Sequence, residues 1–317
     1  MNWRAGESSG LLQARAALLA SIRLFFQSRG VLEVETPLLA SSGITDHAIE
    51  PLIVAAGVSL PHPRYLQTSP EYAMKRILAT GCGPIYQITK AFRDGETGSR
   101  HNPEFSLLEW YRPDYDYHQL MSEVAELACH CLGDRVCHKR TYRELFLNAL
   151  DIDPFQASET ELEVVARREL DLGAFSGSKD LWLDLLMSHL IEPDLKELGL
   201  CFVYDYPASQ AALSRVVTRE GVAVAQRFEL YVDGMELANG YFELTDAAQL
   251  RSRFRSDNVR RLESGMAPRP IDELFLSAME RDMPDLSGVA LGIDRLLMLV
   301  TGATEIGEVL AFDWEQS

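Results

Sequence analysis

The stretch Phe92-Arg93-Asp94-Gly95-Glu96-Thr97-Gly98-Ser99-Arg100-His101-Asn102-Pro103-Glu104-Phe105-Ser106-Leu107-Leu108-Glu109-Trp110-Tyr111 decides the fold. Pro84 to Arg93 reads as a strand, Asp94 to Pro103 as a polar loop, and Glu104 to Tyr111 as a second strand. Two strands joined by a loop with no helix between them predict an antiparallel hairpin. On the second strand side chains two apart share a face, so Phe105, Leu107, Glu109 and Tyr111 line one side. At about 3.3 Å per residue, Phe105 and Tyr111 stand roughly 20 Å apart, the length of an extended nucleotide joined to an amino acid. A ring able to stack a base lies at one end, and a carboxylate and a phenol able to meet an ammonium lie at the other. The same pattern equally describes a half-buried strand whose apolar side chains simply pack.

Working outward, Leu11 to Arg29 carries apolar residues at three- and four-residue steps and predicts a helix stopped by Gly30. A short strand, Val31 to Val34, follows and runs into Pro37. Ser69-Pro70-Glu71 reads as an N-cap, a proline at the first helical position and an acid in the first turn, opening a helix that ends near Gly81. Tyr117 to Val203 has mostly helical character and is expected to hold one peripheral helix plus a small helical insertion, about residues 134–203. Strands return at Gln226 to Val232 and Met235 to Leu244 around the turn Asp233-Gly234. A long polar helix is predicted over Asp246 to Glu263, then a strand from Ser287 to Gly292 feeding a helix from Ile293 to Val300. Helices outside a block of antiparallel strands make the expected class α+β, within a single domain over 1–317.

The chain has 317 residues, a net charge of −17 and 47% hydrophobic residues, a globular composition with no run of about 18 apolar residues. The acidic total argues against a protein whose main task is gripping a phosphate backbone, and it suits a cationic substrate. Met1 to Glu7 carries an acid and no apolar leader core, so the expected address is the cytoplasm. Five cysteines fit reduced thiols. Cys129-His130-Cys131 with Cys137-His138 lacks the pairing of a zinc ribbon, and residues two apart on a helix diverge, so thiols at a helix end are expected there.

Two further segments concentrate unusual side chains. Asn239, Tyr241 and Glu243 share a strand face, and Glu229 and Glu236 lie on neighbouring strands across Gly234. One or two carboxylates beside a nucleotide are what Mg²⁺ uses, with phosphate oxygens and waters completing its shell. Alternating acids on a half-exposed strand are ordinarily just solvated, however. In Gly288-Val289-Ala290-Leu291-Gly292-Ile293-Asp294-Arg295 the glycines permit close approach to the backbone, and Arg295 opens a helix where a guanidinium can hold a phosphate. Arg93, at the lip of the hairpin loop, can do the same.

Together these segments resemble the signature motifs of class II aminoacyl-tRNA synthetases. Arg29-Gly30 through Glu35-Thr36-Pro37 is similar to motif 1, the dimer-interface helix and strand. Phe92-Arg93 with His101 to Phe105 resembles motif 2, and Gly288 to Arg295 resembles motif 3. Thr68-Ser69-Pro70-Glu71, Leu108 to Tyr111, and Glu236-Leu237-Ala238-Asn239-Gly240 through Glu243 resemble the lysyl branch. The resemblance implies ATP and Mg²⁺ as cofactors and an aminoacyl-adenylate as intermediate. It implies that Arg93 meets the α-phosphate, Arg295 the γ-phosphate and Phe105 the adenine. Asp94, Gly95, His101, Asn102, Glu236, Leu237 and Gly292 complete the ATP site. Glu229 and Glu236 would ligate the metal. Glu109, Tyr111 and Glu243 would receive the side-chain ammonium, Glu71 the other amino group, and Ser69, Pro70 and Asn239 would complete the amino-acid site. Where motif 2 usually continues Arg-x-Glu, this chain has Arg93-Asp94-Gly95-Glu96. Either Glu96 reaches back through Gly95 or that contact is lost.

The expected motif 1 helix begins near the start of the sequence, which leaves no room for an anticodon-binding module. The chain therefore resembles the freestanding paralogues of lysyl-tRNA synthetase whose acceptor is a lysine of elongation factor P. Ser69 and Ala290 stand where lysyl-tRNA synthetases usually carry Ala and Gly, next to the α-amino site. That resemblance implies activation of (R)-β-lysine or lysine, a homodimer and no stable tRNA binding. An enzyme with an RNA acceptor and a non-catalytic regulatory paralogue are the alternatives.

Overall fold

In α1 (Ser9–Gln27), Leu18, Ile22, Phe25 and Phe26 recur at helical spacing and all four are buried. Their burial fixes the helix against strands that follow it: Phe26 stacks on Tyr86 with ring centroids 4.4 Å apart and meets Trp110 edge-on at 5.3 Å. The computed structural model describes residues 9–281 and 283–317, so the reading of Met1 to Glu7 lies outside the described residues. Beyond α1, Gly30 adopts φ 65°, the left-handed conformation that ends the helical turn.

The chain divides into two compact units. The first is built from the residues before Tyr117 and after Glu243, with the short stretch His130–Leu132. It holds β1 (Leu32–Glu33), β2 (Leu39–Ala40), β3 (Ile53–Val54), β4 (Arg64–Leu66), α2 (Glu71–Leu78), β5 (Ile85–Phe92) and β6 (Glu104–Pro113). The hairpin expected from the opening stretch forms: β5 and β6 pair antiparallel, with Ile85 opposite Tyr111 and Phe92 opposite Glu104. Pro70, not Ser69, occupies the N-cap position of α2. Ser69 still accepts the Glu71 backbone N–H at 3.0 Å, but its own hydroxyl proton is directed at Glu109, which pulls it out of the capping geometry.

The second unit spans Tyr117–Cys129 and Gly133–Glu243. Along it run α3 (Tyr117–Leu132), β7 (Cys137–Thr141), α4 (Tyr142–Leu150), α5 (Glu159–Glu169), α6 (Lys179–Leu186), β8 (Leu200–Pro207), β9 (Val216–Arg219), β10 (Val222–Val232) and β11 (Met235–Phe242). The segment read as a helical insertion thus also contains β7, which pairs parallel with β8. Cys-His-Lys-Arg-Thr offers no apolar alternation, so only its ladder to β8 makes it a strand. Asp233 and Gly234, at φ 50° and 75°, make the expected tight turn between β10 and β11. Tyr142, Phe146, Trp182, Leu183 and Leu186 pack with Cys201 and Val203 into the core of this unit.

Chain order then returns to the first unit with α7 (Ala247–Glu263), α8 (Glu273–Met279), β12 (Leu286–Gly292) and α9 (Ile293–Thr301). β12 pairs antiparallel with β6, so this unit's main sheet runs β1-β5-β6-β12, and β2-β4-β3 form a smaller one. In the second unit the order is β11-β10-β8-β7, with β9 on β10. Apart from the β1–β5 and β7–β8 pairs the described ladders are antiparallel, as the α+β expectation requires. Among the described residues no helix is long and apolar enough to cross a membrane.

Candidate active site

The loop end of the β5–β6 hairpin gathers positive charge. Arg93 follows β5, and its guanidinium lies 5.1 Å from the Phe105 ring centroid, covering one face of it. Its Nε is buried without a hydrogen-bond partner, an unused donor in a polar site. On α9, Arg295 donates to His101 Nε2 at 2.7 Å and to the Arg100 carbonyl at 3.3 Å. Because arginine only donates, Nε2 accepts, so His101 is the neutral tautomer with its proton on Nδ1. Partial burial, then the Arg295 charge, hold His101 below its usual pKa; Arg93 and Arg100 add to this and Glu96 opposes it. Three guanidiniums act on one neutral imidazole, a local concentration of positive charge in a chain of net charge −17.

The backbone explains how the loop holds this shape. Asp94 N–H donates to the Glu50 carbonyl at 2.7 Å, pinning the loop base. Gly95 sits at φ 78°, which turns the chain so that Glu96 Oε1 comes within 3.6 Å of Arg93 Nη1. The Glu96 carboxylate thus lies beside Arg93. Asn102 is buried and spends its amide on the fold, donating to the Glu104 carbonyl at 2.6 Å and accepting from Trp314 N–H at 3.1 Å. Gly292 is the N-cap residue of α9, and the next turn is held by Asp294, which accepts from Ser106 N–H at 2.6 Å and pairs with Arg15.

Farther along β6 the polar site changes sign. Glu109 is buried between Tyr111, whose hydroxyl donates to Oε1 at 2.7 Å, and Ser69, which donates to Oε2 at 2.7 Å. That hydrogen bond joins the carboxylate and phenol that strand periodicity put on one face. Burial and the neighbouring Glu71 push the Glu109 pKa up to about 7, against the pull of Ser69, Tyr111 and Lys75. Lys75 bonds Glu71 Oε1 at 2.6 Å and is itself buried. Sequence reasoning missed Lys75, although helical arithmetic on α2 carries the signal: Glu71, Met74, Lys75 and Leu78 fall on one face.

In the second unit Glu229 lies opposite Asn239, and Glu236 opposite Tyr231, across the β10–β11 ladder; the register shifts between Leu230 and Tyr231. Glu229 is buried and surrounded by donors: Tyr206 at 2.7 Å, Tyr231 at 2.6 Å, and Arg227. Such a set of outer partners holds a carboxylate in one orientation, which is how metal-ligating acids are supported. None of these three partners was read from the sequence, because they meet Glu229 only through the β8–β10 pairing and the shared strand face. Asn239 Oδ1 is buried with no donor, beside Glu229 in the ladder. An acceptor without a donor next to a fixed carboxylate suits a divalent cation or a ligand amino group, so the residues fit Mg²⁺. Leu237 and Glu243 are buried on or just after β11, and the Glu243 backbone pairs with Ser214. Among the described residues no group of three His, Cys, Asp or Glu side chains is placed to hold a metal ion, and all five cysteines are free thiols.

The family model for tRNA synthetases of class II (D, K and N) matches residues 1–316. The chain belongs to that family. The synthetase is also similar to the elongation factor P–(R)-β-lysine ligase of Edwardsiella ictaluri (strain 93-146), at 45% identity over 322 residues, covering 100% of this chain and 98% of the relative. Class membership agrees with the antiparallel sheets and with the order in which the three motif segments occur. It makes the synthetase an amino-acid ligase of the class II type.

Proposed function

We propose that this synthetase activates (R)-β-lysine, or lysine, with ATP and transfers it to a lysine side chain of elongation factor P. One observation carries the reading: an arginine cluster lies at the loop end of β6, and a buried, hydrogen-bonded carboxylate, Glu109, lies about 13 Å along the strand from Phe105. Phosphates and a diamino acid ask for those two opposite environments on one track.

In this reading Arg93 neutralises charge that develops at the α-phosphate as the amino-acid carboxylate attacks it and pyrophosphate leaves. Arg295 holds the γ-phosphate, and Phe105 stacks the adenine once Arg93 swings from its ring to the phosphate. Gly95 contributes its backbone, and Asp94, His101, Asn102, Leu237 and Gly292 shape the nucleotide site. Glu229 and Glu236 would hold Mg²⁺, which when bound neutralises phosphate charge. Glu109, Tyr111 and Glu243 take the side-chain ammonium, Glu71 the other amino group, and Ser69, Pro70 and Asn239 complete the amino-acid site. No side-chain nucleophile is needed, because positioning and charge neutralisation carry the chemistry. The relative's activity and the acidic total both support a protein acceptor over tRNA. Exposed Leu24 and Leu32, beside the motif 1 segment, support a homodimer.

The test is ATP–pyrophosphate exchange with lysine and both β-lysine enantiomers, followed by transfer to elongation factor P or to bulk tRNA. Exchange that prefers (R)-β-lysine, stops on chelation of Mg²⁺ and delivers label to the protein is the expected result. Label on tRNA alone would reassign the acceptor, and no exchange with any diamino acid would leave a non-catalytic paralogue.

A further inference from the structure

Lys75 is 1% exposed, and burying an ammonium costs several kcal/mol unless it is paired. Its partner is Glu71, one helical turn away at 2.6 Å. It also faces two aromatic rings, Tyr111 on β6 at 5.9 Å and Phe275 on α8 at 6.0 Å from the centroids. The ammonium thus bonds one of the two acids assigned above to the amino groups of the substrate and acts on the other. A simple structural ion pair would need no second acid nearby, and here the Glu109 carboxylate feels the charges of both Glu71 and Lys75.

We propose that Lys75 is a positioning residue for amino-acid activation: its ammonium holds Glu71 in place and offsets the repulsion between Glu71 and Glu109. The inference rests on the reading of those two acids as the amino-acid site. Without Lys75 the buried Glu109 carboxylate faces the negative charge of half-buried Glu71 unopposed by the ammonium, and it takes up a proton instead of meeting an amino group. The groups facing Glu109 are the Ser69 hydroxyl before α2, Glu71 and Lys75 on α2, and Tyr111 on its own strand. Opposite it in the ladders stand the uncharged Gln87 on β5 and Ala290 on β12. No other charge on those neighbours stands in for Lys75.

The experiment is the pH profile of ATP–pyrophosphate exchange for the full chain with lysine and with (R)-β-lysine, comparing Lys75→Met and Lys75→Arg. Removing the positive charge raises the energy of the ionised acid, so the acid limb of kcat/KM for the amino acid moves to higher pH by about one unit. The amino-acid KM at a pH below both acid limbs rises about tenfold, the affinity factor of one such unit, while the KM for ATP stays within about twofold. Lys75→Arg keeps the charge but is bulkier, so its acid limb stays in place and its amino-acid KM rises through displaced Glu71. A methionine variant that changes only Tm, with limb and KM of the parent, overturns the proposal. If the methionine variant does not fold, an arginine variant with the parent's amino-acid KM does the same. Absence of exchange in the parent chain would instead sink the activation reading, and this inference with it.

Discussion

At the scale of single residues, the site rests on charges placed where the surroundings make them strong. Arg93→Ala removes the guanidinium proposed for the α-phosphate, so pyrophosphate exchange should fall about 100- to 1000-fold, the usual effect of losing one donor to developing charge. Amino-acid binding measured by calorimetry without ATP should be unchanged, since Glu109 and its partners lie at the other end of β6. Glu109 makes a second prediction. Its pKa in the folded chain, about 7, lies above the ordinary 4.5, so between those values the native state holds the extra proton. Ligand-free stability therefore falls as pH rises from about 4.5 to about 7, and Glu109→Gln should flatten that slope in Tm against pH. A cationic amino acid binds the ionised form, so its binding near neutral pH should release protons, read from calorimetry in buffers of different ionisation enthalpy. Neither effect was legible from the sequence, where Glu109 is one acid on a strand and nothing tells its burial.

Elements decide which of these residues can act together. The β5–β6 hairpin was readable because strand, polar loop and strand follow each other without a helical stretch, and period two then put Glu109 and Tyr111 on one face. What the loop does with Glu96 depends on Gly95 at φ 78°. A Cβ there meets nothing within 4 Å, so Gly95→Ala is costly through backbone conformation alone, about 1 kcal/mol. Relief of that strain swings Glu96 away from Arg93, and the expected result is a several-fold rise in KM for ATP with the amino-acid KM intact, checked by exchange kinetics. Helix α2 shows the opposite case. Its capping sequence was legible, yet Ser69 turned out to serve Glu109, because a buried carboxylate needs donors more urgently than a helix start that water can reach. β7 escaped detection altogether, since a strand of Cys, His, Lys, Arg and Thr has no pattern until β8 lies beside it.

For the whole molecule, the acidic total and the local basic cluster are separate facts that the fold keeps apart. The chain carries a net charge of −17, and the Arg93, Arg100 and Arg295 group concentrates positive charge at one hairpin tip. Exposed Leu24 on α1 and Leu32 on β1 are the apolar side chains a dimer of the class II type would cover. Replacing both with Asp should turn a dimer into a monomer by light scattering, because a charge in the middle of an apolar contact is costly to bury. A parent chain already monomeric at micromolar concentration would refute the proposed homodimer.

Signals carried by short stretches were legible in the one-dimensional chain. Strand periods put Glu109 and Tyr111 on one face, and the resemblance of the Arg93, Glu236 and Arg295 segments to synthetase motifs reached the class that the family model shows. Residues that work only through distant partners were decided by the tertiary structure. Lys75 reveals its office once Glu109 from another element lies beside Glu71, and Tyr206 reaches Glu229 once β8 and β10 are paired. The reason is physical: periodicity is local, whereas burial, and the strength it lends to charges and hydrogen bonds, depends on what the rest of the chain brings alongside.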